Sequence, residues 1–231
     1  MKILIIQHDA ADKSAAFGEI ATAAGHKLHT ICLDRGDVIP ADTDAELLAT
    51  FGGGISFTKG ELPDWVHQEL ALVQTFADSG RRALGICLGS QLIATAMGAK
   101  VRRNDEPEVG WHPVESVDAQ STSLADVFTE PLIPFHWHQD TFGIPPGATH
   151  LFRSAACENQ GYLLDDRIVG LQFHLEANEK TVQTFLAVSS LWRQDAIYVQ
   201  TEQEVTAGIK RYLPKQQAVL ERLVQWLTRP L

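Results

Sequence analysis

Cys87 lies between glycines placed two residues before and two after it, in the stretch Gly85-Ile86-Cys87-Leu88-Gly89-Ser90-Gln91. A strand-like apolar run, Arg82–Ile86, ends at the cysteine, and a helix-like run, Leu88–Met97, begins just after it. A nucleophile on a tight strand-to-helix turn needs neighbours with little or no side chain, so this is the cysteine form of the G-x-S-x-G elbow. The start of a helix also favours thiolate, through its dipole and its unpaired N–H groups. A small buried core cysteine would suit the same residues, so the chemistry needs a base and an oxyanion hole elsewhere. His174 and Glu176 lie two apart at the end of a strand-like run and share a face. The imidazole can take a thiol proton, and the carboxylate can fix its tautomer and stabilise its charged form. Cys87, His174 and Glu176 make a candidate triad, defined by role and not by order. Phe51-Gly52-Gly53-Gly54 follows another strand-like run; three glycines let backbone N–H groups turn into a concavity that suits an oxyanion. The G-x-G-x-x-G pattern and a Walker lysine are both absent, which argues against a phosphate loop.

These groups must be positioned by the elements around them. Lys2–Gln7, Lys27–Leu33, Glu46–Phe51 and Ala83–Ile86 read as strands; Ser14–Ala24, Leu62–Ser79 and Leu88–Met97 read as helices between them. The alternation predicts an α/β fold with a doubly wound, mostly parallel sheet and right-handed crossovers. Sites in such sheets form beyond the carboxyl ends of the strands, where both Gly52–Gly54 and Cys87 fall. Lys100–Arg103, Trp111–Val117, Leu132–Trp137, Thr149–Ser154, Gly161–Leu164 and Ile168–Phe173 are shorter strand candidates, expected as antiparallel additions. Glu179–Arg193, Thr201–Tyr212 and Pro214–Thr228 read as three helices. Leu220, Leu223, Val224 and Leu227 form one apolar face on the last of these, suited to packing on the domain or on a second copy of the chain. The expected division is residues 1–178 as the main domain and 179–231 as a helical C-terminal extension.

A chain of 231 residues with a net charge of −10 and no basic run excludes nucleic acid or an anionic membrane as its main partner. Its three cysteines, Cys32, Cys87 and Cys157, are widely spaced, with no C-x-x-C pair, so neither a zinc knuckle nor a disulfide framework is indicated. A reducing, cytoplasmic setting fits best. Met1–Gln7 is too short and too quickly polar for a signal peptide, and no apolar stretch approaches membrane-spanning length.

Three separated segments together resemble the class-I, triad-type glutamine amidotransferases, and within them the stand-alone members similar to the glutaminase domain of GMP synthase. Gly85–Gln91 matches the family's G-[IV]-C-x-G-x-Q elbow. Gln172–Glu176 matches its Q-F-H-P-E segment except that Leu175 stands for proline. Gly52–Gly54 matches its G-G-P loop except that Gly54 stands for proline. Gly110-Trp111-His112-Pro113-Val114, His136–Thr141 and Asn159-Gln160 are also similar, so the resemblance covers roughly residues 1–178. It implies a flavodoxin-like core. It implies that Cys87 attacks the glutamine carboxamide, that His174 moves the proton and that Glu176 orients His174. The N–H groups of Gly53 and Leu88 would form the oxyanion hole; Gly54, Gln91, Trp137 and His138 would line the substrate pocket. A γ-glutamyl thioester would form and water would release glutamate, with no metal and no organic cofactor. With no synthetase domain in these residues, the ammonia acceptor would bind another chain, such as a separate synthetase subunit, or a local pocket of this one.

Two other functions fit the same residues. One is a γ-glutamyl peptidase or hydrolase using the same triad; the two proline replacements and the lack of a synthetase domain motivate it. The other is a non-catalytic binding protein on this scaffold, against which the intact triad argues. His136 and His138, with His112 near in sequence, have a spacing seen in metal sites, but polar contacts at the glutamine pocket are the expected role. His8, His26, His29, His67 and His150 show no partner pattern and read as surface or core residues.

Overall fold

The structure, a computed structural model of the chain, describes all residues except Asp12, Glu130, Ser189, Ser190, Gln194 and Leu231, and the side chain of Trp192. β1 (Lys2–Gln7), β2 (Lys27–Cys32), β3 (Leu47–Thr50), β4 (Arg82–Ile86) and β10 (Ile168–Leu171) are the parallel part of an eight-stranded sheet. Its order is β2-β1-β3-β4-β10-β9-β8-β6. β9 (Gly161–Leu164), β8 (Thr149–Arg153) and β6 (Glu115–Ser116) extend it antiparallel. The expected Ile168–Phe173 strand is not one of the antiparallel additions. It pairs parallel with β4, so the His174 segment leaves the sheet directly beside the cysteine elbow.

The run of aliphatics in β1 is explained by burial on both faces: Ile3, Leu4, Ile5 and Ile6 are all inaccessible. Ile3 and Ile5 pack toward α1 (Ala15–Ala23) and α5 (Glu202–Thr228), which supply Phe17, Leu220, Leu223, Val224 and Leu227. Leu4 and Ile6 face the layer of α2 (Asp64–Asp78) and α3 (Leu88–Ala96), with Leu72, Val73, Phe76 and Ile93. Each fully buried aliphatic or aromatic side chain of this kind stabilises the fold by about 1.5–3 kcal/mol.

β5 (Val101–Trp111) and β7 (Phe135–Phe142) form a separate antiparallel pair. The expected strands are Lys100–Arg103 and Trp111–Val117; β5 instead runs from Val101 to Trp111, and of the second expected strand only Trp111 and the short β6 are strand. A register shift in β5 between Arg103 and Glu108 accommodates Pro107. The same pair places Glu108 opposite His138 and Gly110 opposite His136. α4 (Glu179–Val188) and the first half of α5 cover it, through Phe185, Val205, Ile209 and Leu213.

Pro214 does not separate two helices. α5 is continuous, opening on a capping box in which Thr201 and Glu204 exchange hydrogen bonds. Pro214 is exposed, so its missing N–H falls on the solvent side of the helix, where the ring is accommodated without loss of a buried hydrogen bond. No described helix is long and apolar enough to cross a membrane.

Candidate active site

β4 and α3 meet at Cys87, whose φ of 51° and ψ of −110° lie outside the ordinary regions for a non-glycine residue. Its N–H donates to the Leu171 carbonyl of the neighbouring strand at 2.8 Å, which holds the strained turn in place. The flanking glycines are obligatory. A Cβ on Gly85 would lie 2.6 Å from the Gly89 backbone, and one on Gly89 would lie 2.2 Å from the Thr50 carbonyl oxygen.

His174 and Glu176 follow β10, adjacent to β4, and so come alongside Cys87. His174 Nδ1 is 2.8 Å from Glu176 Oε1, and the cysteine and glutamate side chains both hydrogen-bond the imidazole. Their exposure differs: Cys87 is 9% exposed, His174 and Glu176 each 1%. Burial pushes the His174 pKa down, but the charges of Glu176 and Cys87 outweigh it and hold it well above the usual histidine value. Cys157 shows the opposite environment: burial pushes its thiol up to about 11.

A cleft of about 480 Å³ opens over the cysteine. Gly53, Gly54, Leu88, Gln91, Trp137, His138 and His174 all line it, so the structure brings the expected site residues to one place. The N–H groups of Gly53 and Leu88 have no acceptor among the described residues. Gly54 donates its N–H to Asp9 Oδ2 at 3.0 Å. Two of the expected substrate-binding side chains are engaged within the protein. Gln91 Nε2 donates to the Asp140 carbonyl and to Gln172 Oε1. His138 Nδ1 donates to the Asp140 carbonyl at 3.2 Å, and its Nε2 lies 3.0 Å from Glu108 Oε2. The Trp137 ring stacks on Phe185, which also packs against His174.

Glu108, His136 and His138 bring ligand-type atoms within 4.8 Å of one another, all buried. Gln160 also donates to Glu108. Burial opposes charge on Glu108, yet the His136 and His138 imidazoles hold its carboxyl far below the usual carboxylate range. The three side chains form one buried polar cluster between β5 and β7, in which His138 Nε2 and Gln160 Nε2 hydrogen-bond Glu108 Oε2. His112 stands outside it, its Nε2 donating to the Val109 carbonyl at 3.0 Å.

Sequence reasoning missed His8 and Glu69 at the site, along with Asp9 and Glu108. His8, at the carboxyl end of β1, is buried against the glycine loop, and Glu69 is buried beneath it. The signal available for His8 was its place, one residue past a strand on the sheet edge that also carries Gly52 and Cys87. Glu69 sits in an amphipathic helix where a glutamate ordinarily faces water.

The glutamine amidotransferase class-I family model matches residues 35–192. The glutamine amidotransferase-like protein YfeJ of Salmonella typhimurium is 30% identical over 201 residues, covering 85% of this chain and 84% of that one. One chain of the glutamine-hydrolysing GMP synthase of Sulfolobus acidocaldarius is 36% identical over 107 residues, 44% of this chain and 55% of that one. Among solved structures, a glutamine amidotransferase from Methylobacillus flagellatus superposes with a TM-score of 0.88 at 28% identity, covering 98% of this chain and 93% of that one. With the family model spanning most of the chain and the fold shared end to end, this protein belongs to the class-I glutamine amidotransferases.

Proposed function

We propose that this chain hydrolyses the side-chain amide of glutamine through a γ-glutamyl thioester on Cys87. The observation that carries the reading is the strained Cys87 elbow sharing a cleft with His174, which is backed by the buried Glu176. His174 holds, as an imidazolium paired with the Cys87 thiolate, the proton taken from the thiol, and the thiolate sulfur attacks the carboxamide carbon. The negative oxygen of the tetrahedral intermediate accepts hydrogen bonds from the N–H groups of Gly53 and Leu88. The intermediate collapses, the C–N bond breaks, and His174 returns its proton to the departing ammonia. Water then attacks the thioester with His174 as base, and glutamate and free Cys87 result. Glu176 keeps the imidazole oriented and supports its charge throughout. None of these steps calls on a metal or an organic cofactor. Gly54 and the backbone at Trp137 and His138 contact the glutamine, while Gln91 braces the pocket wall from within.

The ammonia goes to an acceptor on a separate synthetase chain, in keeping with the similarity to one chain of a GMP synthase. A second reading, hydrolysis of a γ-glutamyl peptide by the same triad, is favoured by the reach of the cleft. It continues past the cysteine to Lys59, Arg103, Val188 and Leu191. Glutamate release from glutamine and from γ-glutamyl dipeptides by the purified chain, beside Cys87→Ala, tests both. The wild type should release glutamate and the variant should lose at least about 10³-fold, the scale of a deleted nucleophile. Full activity in Cys87→Ala would sink the assignment.

A further inference from the structure

Three consecutive glycines have no stiffness of their own, yet an oxyanion hole works only if its donors are fixed before charge develops. Something outside the loop must hold Gly52–Gly54. β1 ends beside it, and the two residues just past that end both grip it. His8 Nδ1 donates to the Gly52 carbonyl at 2.9 Å, and its Nε2 lies 2.8 Å from Glu69 Oε2. Glu69 is inaccessible and also accepts from the hydroxyl of Thr50, the last residue of β3. The ring face of His8 lies against Trp65, centroids 4.8 Å apart. A Cβ on Gly53 would come within 2.8 Å of His8 Cβ and 2.7 Å of Leu88 Cδ2, so Gly53 is wedged between the histidine and the elbow. Asp9 adds the bond to the Gly54 N–H.

We propose that His8 is a positioning residue of the oxyanion loop, holding the Gly52 carbonyl so that the Gly53 N–H faces the carbon attacked by Cys87, with Glu69 and Thr50 orienting the imidazole. The proposal rests on the glutaminase reading above for its catalytic consequence. A carbonyl accepts only, so Nδ1 must carry hydrogen. The ionised Glu69 carboxylate at Nε2 likewise only accepts, so Nε2 carries hydrogen too, and the ring is clamped between two acceptors. With the Gly52 peptide fixed on its carbonyl side, the following N–H cannot swing away from the cleft. His8 touches no reacting atom. Its contribution is geometric and falls on the step that develops oxyanion charge.

The test compares wild type with His8→Ala, His8→Asn and His8→Gln in the full chain. The Asn amide places a donor where Nδ1 stood; the Gln amide reaches toward Glu69 instead. Deleting an oxyanion donor outright costs roughly 10²–10³ in kcat, so a displaced donor should cost about 10- to 100-fold. His8→Ala and His8→Gln should show that loss in kcat for glutamate release, with KM within about twofold; His8→Asn should recover most of it. Iodoacetamide alkylation of Cys87 is displacement at a saturated carbon and needs no oxyanion hole, so its rate should stay near wild type in all three. Wild-type kcat in His8→Ala would overturn the proposal. So would an equal loss in Ala and Asn with alkylation slowed in parallel, which marks collapse of the site. Amide hydrogen exchange over residues 51–55 reads the same claim without turnover: it should quicken in His8→Ala and not in His8→Asn, and unchanged exchange in His8→Ala would overturn the proposal. A wild type that hydrolyses no γ-glutamyl amide, with this exchange pattern intact, defeats the glutaminase reading and leaves the loop-holding role standing.

Discussion

His174 is the side chain on which pH acts most directly. Its folded pKa lies well above the ordinary histidine value because Glu176 and Cys87 outweigh burial. The folded state therefore binds a proton that the unfolded state releases once pH passes the ordinary value of about 6.5. The stability from this group is fully present below that pH and is lost as pH rises toward the folded pKa. Urea unfolding of wild type and His174→Gln should show a stability difference that shrinks between neutral and alkaline pH. A difference that grows with pH would contradict the ion-pair assignment. Residue types alone singled out the candidate triad, because a nucleophile, a base and an orienter each carry distinctive chemistry at a distinctive spacing. His8 carried no such mark: its partners Gly52 and Glu69 are 44 and 61 positions away, and only the fold brings them together.

At the scale of elements, the His174–Glu176 segment is held by the last helix. Gln216, inaccessible on α5, donates to the carbonyls of His174 and Ala177 at 3.1 and 3.3 Å and accepts from the Phe135 N–H at 2.9 Å. A single side chain thus satisfies three backbone groups where α5, β7 and the His174 turn converge. Gln216→Ala should lower stability by about 1–3 kcal/mol, the cost of buried polar groups left unpaired, and urea denaturation measures it. A change below about 0.5 kcal/mol would show that water fills the gap. From sequence, Leu220, Leu223, Val224 and Leu227 announce the packing face of this helix. Pro214 misleads, because its effect depends on which side of the helix meets solvent, and that is fixed by the partner surfaces.

Across the whole molecule, doubly wound topology converts distant segments into one site. β1, β3, β4 and β10 are neighbours in the sheet, so His8, the glycine loop, Cys87 and His174 all emerge at the same edge. Strand–helix alternation made the parallel half legible, and each glycine near Cys87 has its close backbone approach. The antiparallel half was less legible, since its short strands owe their register to cross-strand pairs such as Glu108 with His138. A buried glutamate between two histidines has no signature along the chain. Covalent catalysis at this edge is the central claim, and a trapped intermediate tests it most directly. Wild type mixed with glutamine, quenched in acid within the first turnovers and digested, should yield the Cys87 peptide carrying one γ-glutamyl group by mass spectrometry. Glutamate release with no such adduct on Cys87, or an adduct on another residue, would contradict the mechanism.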